Sequence, residues 1–162
     1  MDFIRSQMTA ADIKLLDCLL DAFDNSKLTH EYYTAALKSG NGFLRDFLLY
    51  DLQLRNTKAA YLNRQLGRDE TLDLIPAPET EFEGRAEVLE VLEQSDILAR
   101  ERGLDRLLWD KIDELTQAHV LDLDVILGMV AKVKITDRWN KLDPKTGRAL
   151  FRSLVQEIRN TR

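Results

Sequence analysis

LARERGLDRLLWDKIDEL, residues 98–115, and DLDVILGMVAKVKITDRW, residues 122–139, decide the fold. In the first, Leu104, Leu107, Leu108, Ile112 and Leu115 recur at steps of three and four, which places them on one face of a helix. The second opens with an apolar run from Val125 to Ala131. It then interleaves Lys132, Lys134, Asp137 and Arg138 with Val133, Ile135 and Trp139. A helix whose apolar stripe continues beneath charges is built both to pack and to meet something polar. Gly103 costs the first helix about 1 kcal/mol relative to Ala, so a close helix contact or a kink is expected there.

Working outward, the same periodicity recurs. Thr9 is placed to cap a helix over AADIKLLDCLLDAFDN, whose inner face is Ile13, Leu16, Leu19, Leu20 and Phe23. Thr29 caps a short helix, HEYYTAALK, stopped by Ser39 and Gly40. A long helix follows from Gly42 to Leu66, and Gly67 closes it. Arg85 to Gln94 forms a short amphipathic helix. Asp122 or Asp124 starts the helix that ends near Trp139. The last helix has the strongest start signal, Asp143 as N-cap and Pro144 at the first helical position, with Leu150, Phe151, Leu154, Val155 and Ile158 inward. With no alternating β-pattern, the chain reads as an all-α, elongated bundle of about seven helices.

Residues 68–84, RDETLDLIPAPETEFEG, are the clearest break. They hold Pro76, Pro78 and many acids, and proline there removes backbone donors. The chain therefore reads as one helical domain, 1–162, with candidate halves 9–67 and 85–162 joined by this acidic connector. DLQLRN, residues 51–56, and KVKITD, residues 132–137, echo one another 81 residues apart (132 − 51). The echo hints at two pseudo-repeated helical halves. Asp51, set in the apolar stripe of the long helix, and Lys132 are the charged residues expected to be buried.

Composition narrows the function classes. Of 162 residues, 44% are hydrophobic and 31% charged, which fits a folded soluble domain. A net charge of −5 argues against a nucleic-acid-coating protein, which needs clustered Lys and Arg. Cys18 is the only cysteine, so no internal disulfide forms, and its apolar neighbours mark it as a buried structural thiol. No run approaches the roughly 20 apolar residues of a membrane-spanning helix, and the N-terminus lacks the pattern of a secretion signal. A cytoplasmic protein is expected.

The search for chemistry finds no motif. His30 and His119 are isolated, no Glu-x-x-His or His-Glu-x-x-His pair occurs, and no glycine-rich phosphate cradle is present. Neither a catalytic residue nor a metal or cofactor site is expected, nor a small-molecule substrate. The candidate functional feature is a basic face: Lys134, Arg138 and Lys141 are three or four residues apart and lie beside Trp139, a combination suited to an acidic protein partner. Lys132 points elsewhere on the same helix.

These residues also carry a resemblance. Glu101-Arg102, Leu104-Asp105, Trp109, Arg138-Trp139, Leu142-Asp143, Gly147-Arg148 and Leu150-Phe151-Arg152 resemble the pattern of an uncharacterised bacterial family encoded beside V-type ATPase genes. That family is itself distantly similar to the C-type subunit of V/A-type ATPases, whose eukaryotic counterpart is the d-type subunit. The match runs from about Glu87 to the C-terminus, and HEYYTAALKSGNGFLRDFLLYDLQLRN is similar to the preceding helical segment less specifically. The family's usual N-terminal portion has no counterpart before Met1. The resemblance implies a non-catalytic socket between the central stalk and the membrane ring, transmitting torque in ion transport or ATP synthesis. It implies the stalk and ring proteins as partners, and a peripheral position at the inner face of the plasma membrane. A helical adaptor descended from that fold and binding other proteins is the alternative.

Overall fold

Side-chain caps fix where the helices start. The computed structural model describes residues 2–141 and Arg152. Its helices are α1 (Asp2–Ser6), α2 (Ala10–Asp21), α3 (His30–Ala36), α4 (Gly42–Gln65), α5 (Arg85–Leu92), α6 (Ile97–Thr116) and α7 (Leu123–Asn140). No strand occurs among the described residues, so the molecule is an all-α bundle. Thr9 and Asp12 form a reciprocal capping box at α2, and Thr29, Asn41, Asp96 and Asp122 cap α3, α4, α6 and α7 through side-chain oxygens. Each oxygen satisfies a backbone N–H that the first helical turn leaves without a partner.

The structure adds a helix at its start. The first residues form the short helix α1. The expected helix from Asp143 onward lies outside the described residues, apart from Arg152, which is helical and exposed. The α2 helix stops at Asp21 rather than Asn25, because Asp24 caps a separate 3-10 turn, Asn25–Lys27, through a bond from the Ser26 N–H. Gly67 adopts φ 66°, the left-handed conformation that ends α4 as anticipated.

Helices α4 and α6 run antiparallel, since Lys58 meets Glu101 while Lys111 lies over Tyr50. Helices α6 and α7 are antiparallel too, with Asp105 against Arg138 near one end and Ile112 against Gly128 toward the other. The buried residues form two cores. The larger gathers Leu16 and Leu19 of α2, Phe43, Leu44, Phe47 and Leu48 of α4, Ile112 of α6, and Leu127, Val130, Ala131 and Ile135 of α7. The smaller joins Leu54 of α4 to Val88 and Leu92 of α5 and Leu104 of α6. Each core draws side chains from both sides of the connector, and burial of each Leu or Ile contributes about 1.5–3 kcal/mol.

The two echoing stretches begin at equivalent points. Asn41 and Asp122, the caps of α4 and α7, are also 81 residues apart (122 − 41). The helices lie side by side, and the Asn41 amide donates to Asp124. Their buried faces differ, however: Leu52 is wholly buried, whereas its counterpart Val133 is 63% exposed.

The acidic connector is exposed but tied down. Asn56 accepts from the Ile75 N–H and donates to the Ile75 carbonyl, at 3.0 and 2.7 Å, and Asn63 donates to the Leu72 carbonyl. Phe82 stands edge-on to Tyr50.

The two glycines of the deciding stretch are helix contacts. A Cβ on Gly103 would stand 2.6 Å from a methyl of Val91 on α5, and one on Gly128 would stand 2.8 Å from the Thr116 methyl on α6. The helix around Gly103 continues unbroken from Ile97 to Thr116, so close approach of α5 is the structural use of this glycine.

Candidate functional site

Helices α4, α6 and α7 bring two buried carboxylates toward one another. Asp51, in the middle of α4, is buried as expected and accepts from the Tyr33 hydroxyl at 2.7 Å and the Arg55 Nε at 2.8 Å. Burial, and then the adjacent Asp51, pushes the Tyr33 hydroxyl far above its ordinary value, so it remains a donor. Arg55 also reaches the Asn25 side chain and the Ala22 carbonyl. This cluster fastens α3 and the α2 end onto α4.

Asp105 is the second carboxylate. Its Oδ2 accepts from Arg138 Nη2 at 2.5 Å and from the Trp139 indole Nε1 at 2.6 Å. Glu101, one turn earlier, lies 3.8 Å from the same guanidinium and pairs with Lys58 of α4. Arg102 sits 5.3 Å from the Trp139 ring centroid, a cation–π distance. Six residues of α4, α6 and α7 are thereby joined in one clasp. Acceptor geometry of this kind, with charged partners, is the strong form of the hydrogen bond.

Between the carboxylates lies a cavity of about 60 Å³, bordered by Asp51, Arg55, Asp105, Lys134, Ile135 and Arg138, with apolar walls from Ala22, Phe23, Phe47 and Leu108. Ligand pockets usually measure about 300–1,000 Å³, so this space suits water rather than a substrate. Each carboxylate accepts both of its donors at Oδ2. No buried side-chain nitrogen or oxygen lacks a partner among the described residues.

The expected basic face is rearranged. Arg138 and Trp139 turn inward to Asp105, because a carboxylate inside the α6 stripe needs donors and the facing turn of α7 supplies them. Lys141 is exposed and pairs with Asp137 one turn back. Lys134 is half-buried and borders the small cavity. Lys132 is not buried as expected. Its stem crosses the Trp109 ring, with the ammonium 4.8 Å from the centroid, and the charge ends in a pair with the exposed Asp113. Long lysine stems cover apolar surface while the charged end stays in water.

What α7 does present outward is apolar. Ile126, Met129 and Val133 lie on one exposed stripe and, with Phe3, Ile4 and Met8 and with Trp109 of α6, line a groove of about 760 Å³. The signal was in the sequence: eight of the eleven residues from Val125 to Ile135 are apolar, too many for one buried face. Asp105 was legible too, as an acid flanked by Leu104 and Leu108 within an apolar stripe.

A second groove, about 570 Å³, runs between the connector, α4, α5 and α6. Asp46, Glu81, Glu83, Glu87, Asp110 and Glu114 line it, against the single Lys111, so its field repels phosphate. Burial, then Glu87, Glu114 and Asp110, push the Tyr50 hydroxyl up to about 12.

The remaining candidates for chemistry are placed as follows. Cys18 is half-buried rather than buried, and burial pushes its thiol up, away from the reactive thiolate. His30 is exposed, and His119 lies in the α6–α7 link, 2.5 Å from the Asp122 carboxylate. No group of three His, Cys, Asp or Glu stands ready to hold a metal ion among the described residues. No described helix is long and apolar enough to cross a membrane.

Comparison with known proteins gives one match. The family model described as "Protein of unknown function (DUF2764)" covers residues 1–161. No curated protein and no solved structure matches the chain.

Proposed function

Taking as premise that the chain belongs to the DUF2764 family of unknown function, we propose that it is a non-catalytic component or accessory of a V-type rotary ATPase, similar to the C-type subunit. In this reading it links the central stalk to the membrane ring, and is peripheral to the membrane through them. The observation that supports it most is where the resemblance residues lie. Glu101, Arg102 and Asp105 stand more than thirty residues before Arg138 and Trp139 in sequence, yet they meet in one clasp that joins α6 to α7 and, through Lys58, to α4. A socket that carries torque needs helices held at several points along their length, and the ion pairs and the indole hydrogen bond of this clasp tie three helices at one such point.

With Arg138 and Trp139 engaged inside, the contact surface passes to Lys134 and Lys141 and the outer half of Arg138. A helical adaptor binding other proteins is the second reading, favoured by the same inward turn of the expected contact residues.

Affinity purification of the tagged full chain from its native membranes distinguishes them. Stalk or ring proteins of a V-type ATPase among the co-purifying chains are the expected result. An intact ATPase purified without this chain, together with retention of unrelated proteins only, would sink the first reading. Lys134→Glu with Lys141→Glu should weaken the co-purification and leave the thermal midpoint nearly unchanged, whereas Arg138→Glu should lower the midpoint because it opposes Asp105.

A further inference from the structure

Asp51 and Asp105 each keep one carboxylate oxygen that their clusters do not use. All four donors end on Oδ2, and neither Oδ1 accepts from any described residue. Asp51 is only 4% exposed and Asp105 9%. A charged oxygen buried without a donor is costly, because the interior replaces none of the hydration it gives up. No enclosed side-chain oxygen of the described residues lacks a partner, so each Oδ1 touches space that water can enter. The space that both residues border is the cavity of about 60 Å³ between the two clusters.

We propose that this cavity is a binding site for about two ordered waters, which hydrogen-bond to Oδ1 of Asp51 and Oδ1 of Asp105 and join the two clusters into one network. Size sets the number, since a water's share of liquid volume is about 30 Å³. The apolar walls of Ala22, Phe47, Leu108 and Ile135 confine the waters to the carboxylate side.

Charge sets the kind of ligand. Arg55, Lys134 and Arg138 border the cavity against two carboxylates, an excess of one positive charge that disfavours a metal cation. An anion would face the lone pairs of both Oδ1 atoms. A small neutral molecule that donates and accepts meets neither objection. Each water donates to an Oδ1 and accepts from the cations at the rim, which approaches the three or so bonds that a buried water makes.

The consequence is mechanical. Tyr33 of α3 and Arg55 of α4 hold Asp51, whereas Arg138 and Trp139 of α7 hold Asp105 of α6. These two anchors share no side-chain partner. Bridging waters place all four helices on one hydrogen-bonded chain, whether or not the protein serves an ATPase.

A crystal structure of the full chain, grown in bromide and at a resolution that shows waters, tests the site directly. Density for waters within about 3.2 Å of each Oδ1, with no anomalous signal, is the expected result. A bromide peak, the Lys134 ammonium filling the cavity, or no density there would each overturn the proposal. In solution, water-selective NOESY and ROESY spectra of the methyl-labelled chain should show water cross-peaks at Leu108 and Ile135. Opposite signs in the two spectra mark water held far longer than surface hydration; equal signs, or no peaks, would overturn the site. The network is tested by a double-mutant cycle between Tyr33→Phe and Trp139→Phe. Both keep an aromatic ring, remove no charge and lie outside the cavity wall. Their combined loss in folding constant should depart from the product of the single losses by about threefold or more, against less than about twofold for sites with no shared partner. A product within that smaller range would leave two separate anchors and overturn the network.

Discussion

Replacing Asp105 by Ala removes the acceptor that two α7 side chains share, and the structure sets the size of the effect. The indole N–H of Trp139 loses a carboxylate partner, which costs about 1.5–3 kcal/mol for a hydrogen bond to a charged group. The Arg138 side chain is 52% exposed and can turn to water or to Glu101, so its lost ion pair costs only about 0.2–1 kcal/mol. Alanine returns about 0.5 kcal/mol through its higher helix propensity within α6. Destabilisation of about 1–3.5 kcal/mol is expected from these terms, equivalent to a fall in Tm of about 2–14 °C for a domain of this size. Urea unfolding of Asp105→Ala, Trp139→Phe and the double variant measures it. The two single changes should couple by more than about 0.5 kcal/mol, since both delete one bond. Asp137→Ala, which breaks the surface pair with Lys141, should cost less than about 0.5 kcal/mol. A midpoint for Asp105→Ala equal to that of the parent, or strict additivity with Trp139→Phe, would refute the clasp as a determinant of stability.

Gly128→Ala sets a helix-propensity gain of about 1 kcal/mol against overpacking of about 1–3 kcal/mol, because the new methyl meets Thr116 at 2.8 Å and buried Ile112 at 3.1 Å. Net destabilisation is expected in denaturant titration, and stabilisation would mean that α6 yields easily. Trp109→Ala should cost about 2–3 kcal/mol, below the 3–5 kcal/mol of a fully buried aromatic, because one edge of the ring faces the apolar groove. An unchanged unfolding midpoint would show the ring contributes nothing to packing. His119 should titrate above 6.5, chiefly through its hydrogen bond with Asp122 and then the Asp122 and Asp124 charges. The folded state holds this proton more tightly, so the contribution is complete below the unfolded value and is lost as pH rises through the folded value. Proton NMR should show the His119 midpoint falling back in Asp122→Asn, and no change there would dismiss the pair.

Helix placement was legible because it is local. The caps Thr9, Thr29 and Asp122, the Gly67 terminator and the three- and four-residue apolar steps act within one or two turns, and the observed elements start where those signals stand. Differences arise where a neighbour in sequence competes, as at Asp24, which caps its own turn and shortens α2.

Partnering was not legible in the same way. The sequence determined that Asp51 and Asp105 would sit among apolar residues of long helices, and that α7 carries both charge and an excess of apolar residues. Only the tertiary structure decided that Arg138 and Trp139 turn in to Asp105, that Lys132 lies over Trp109, and that Ile126, Met129 and Val133 face outward. The physical reason is that periodicity fixes which side chains share a face, whereas which face is buried depends on how neighbouring helices cross. Here that crossing is set by glycines: Gly128 lets α6 approach one side of α7, and the opposite side is left to the groove.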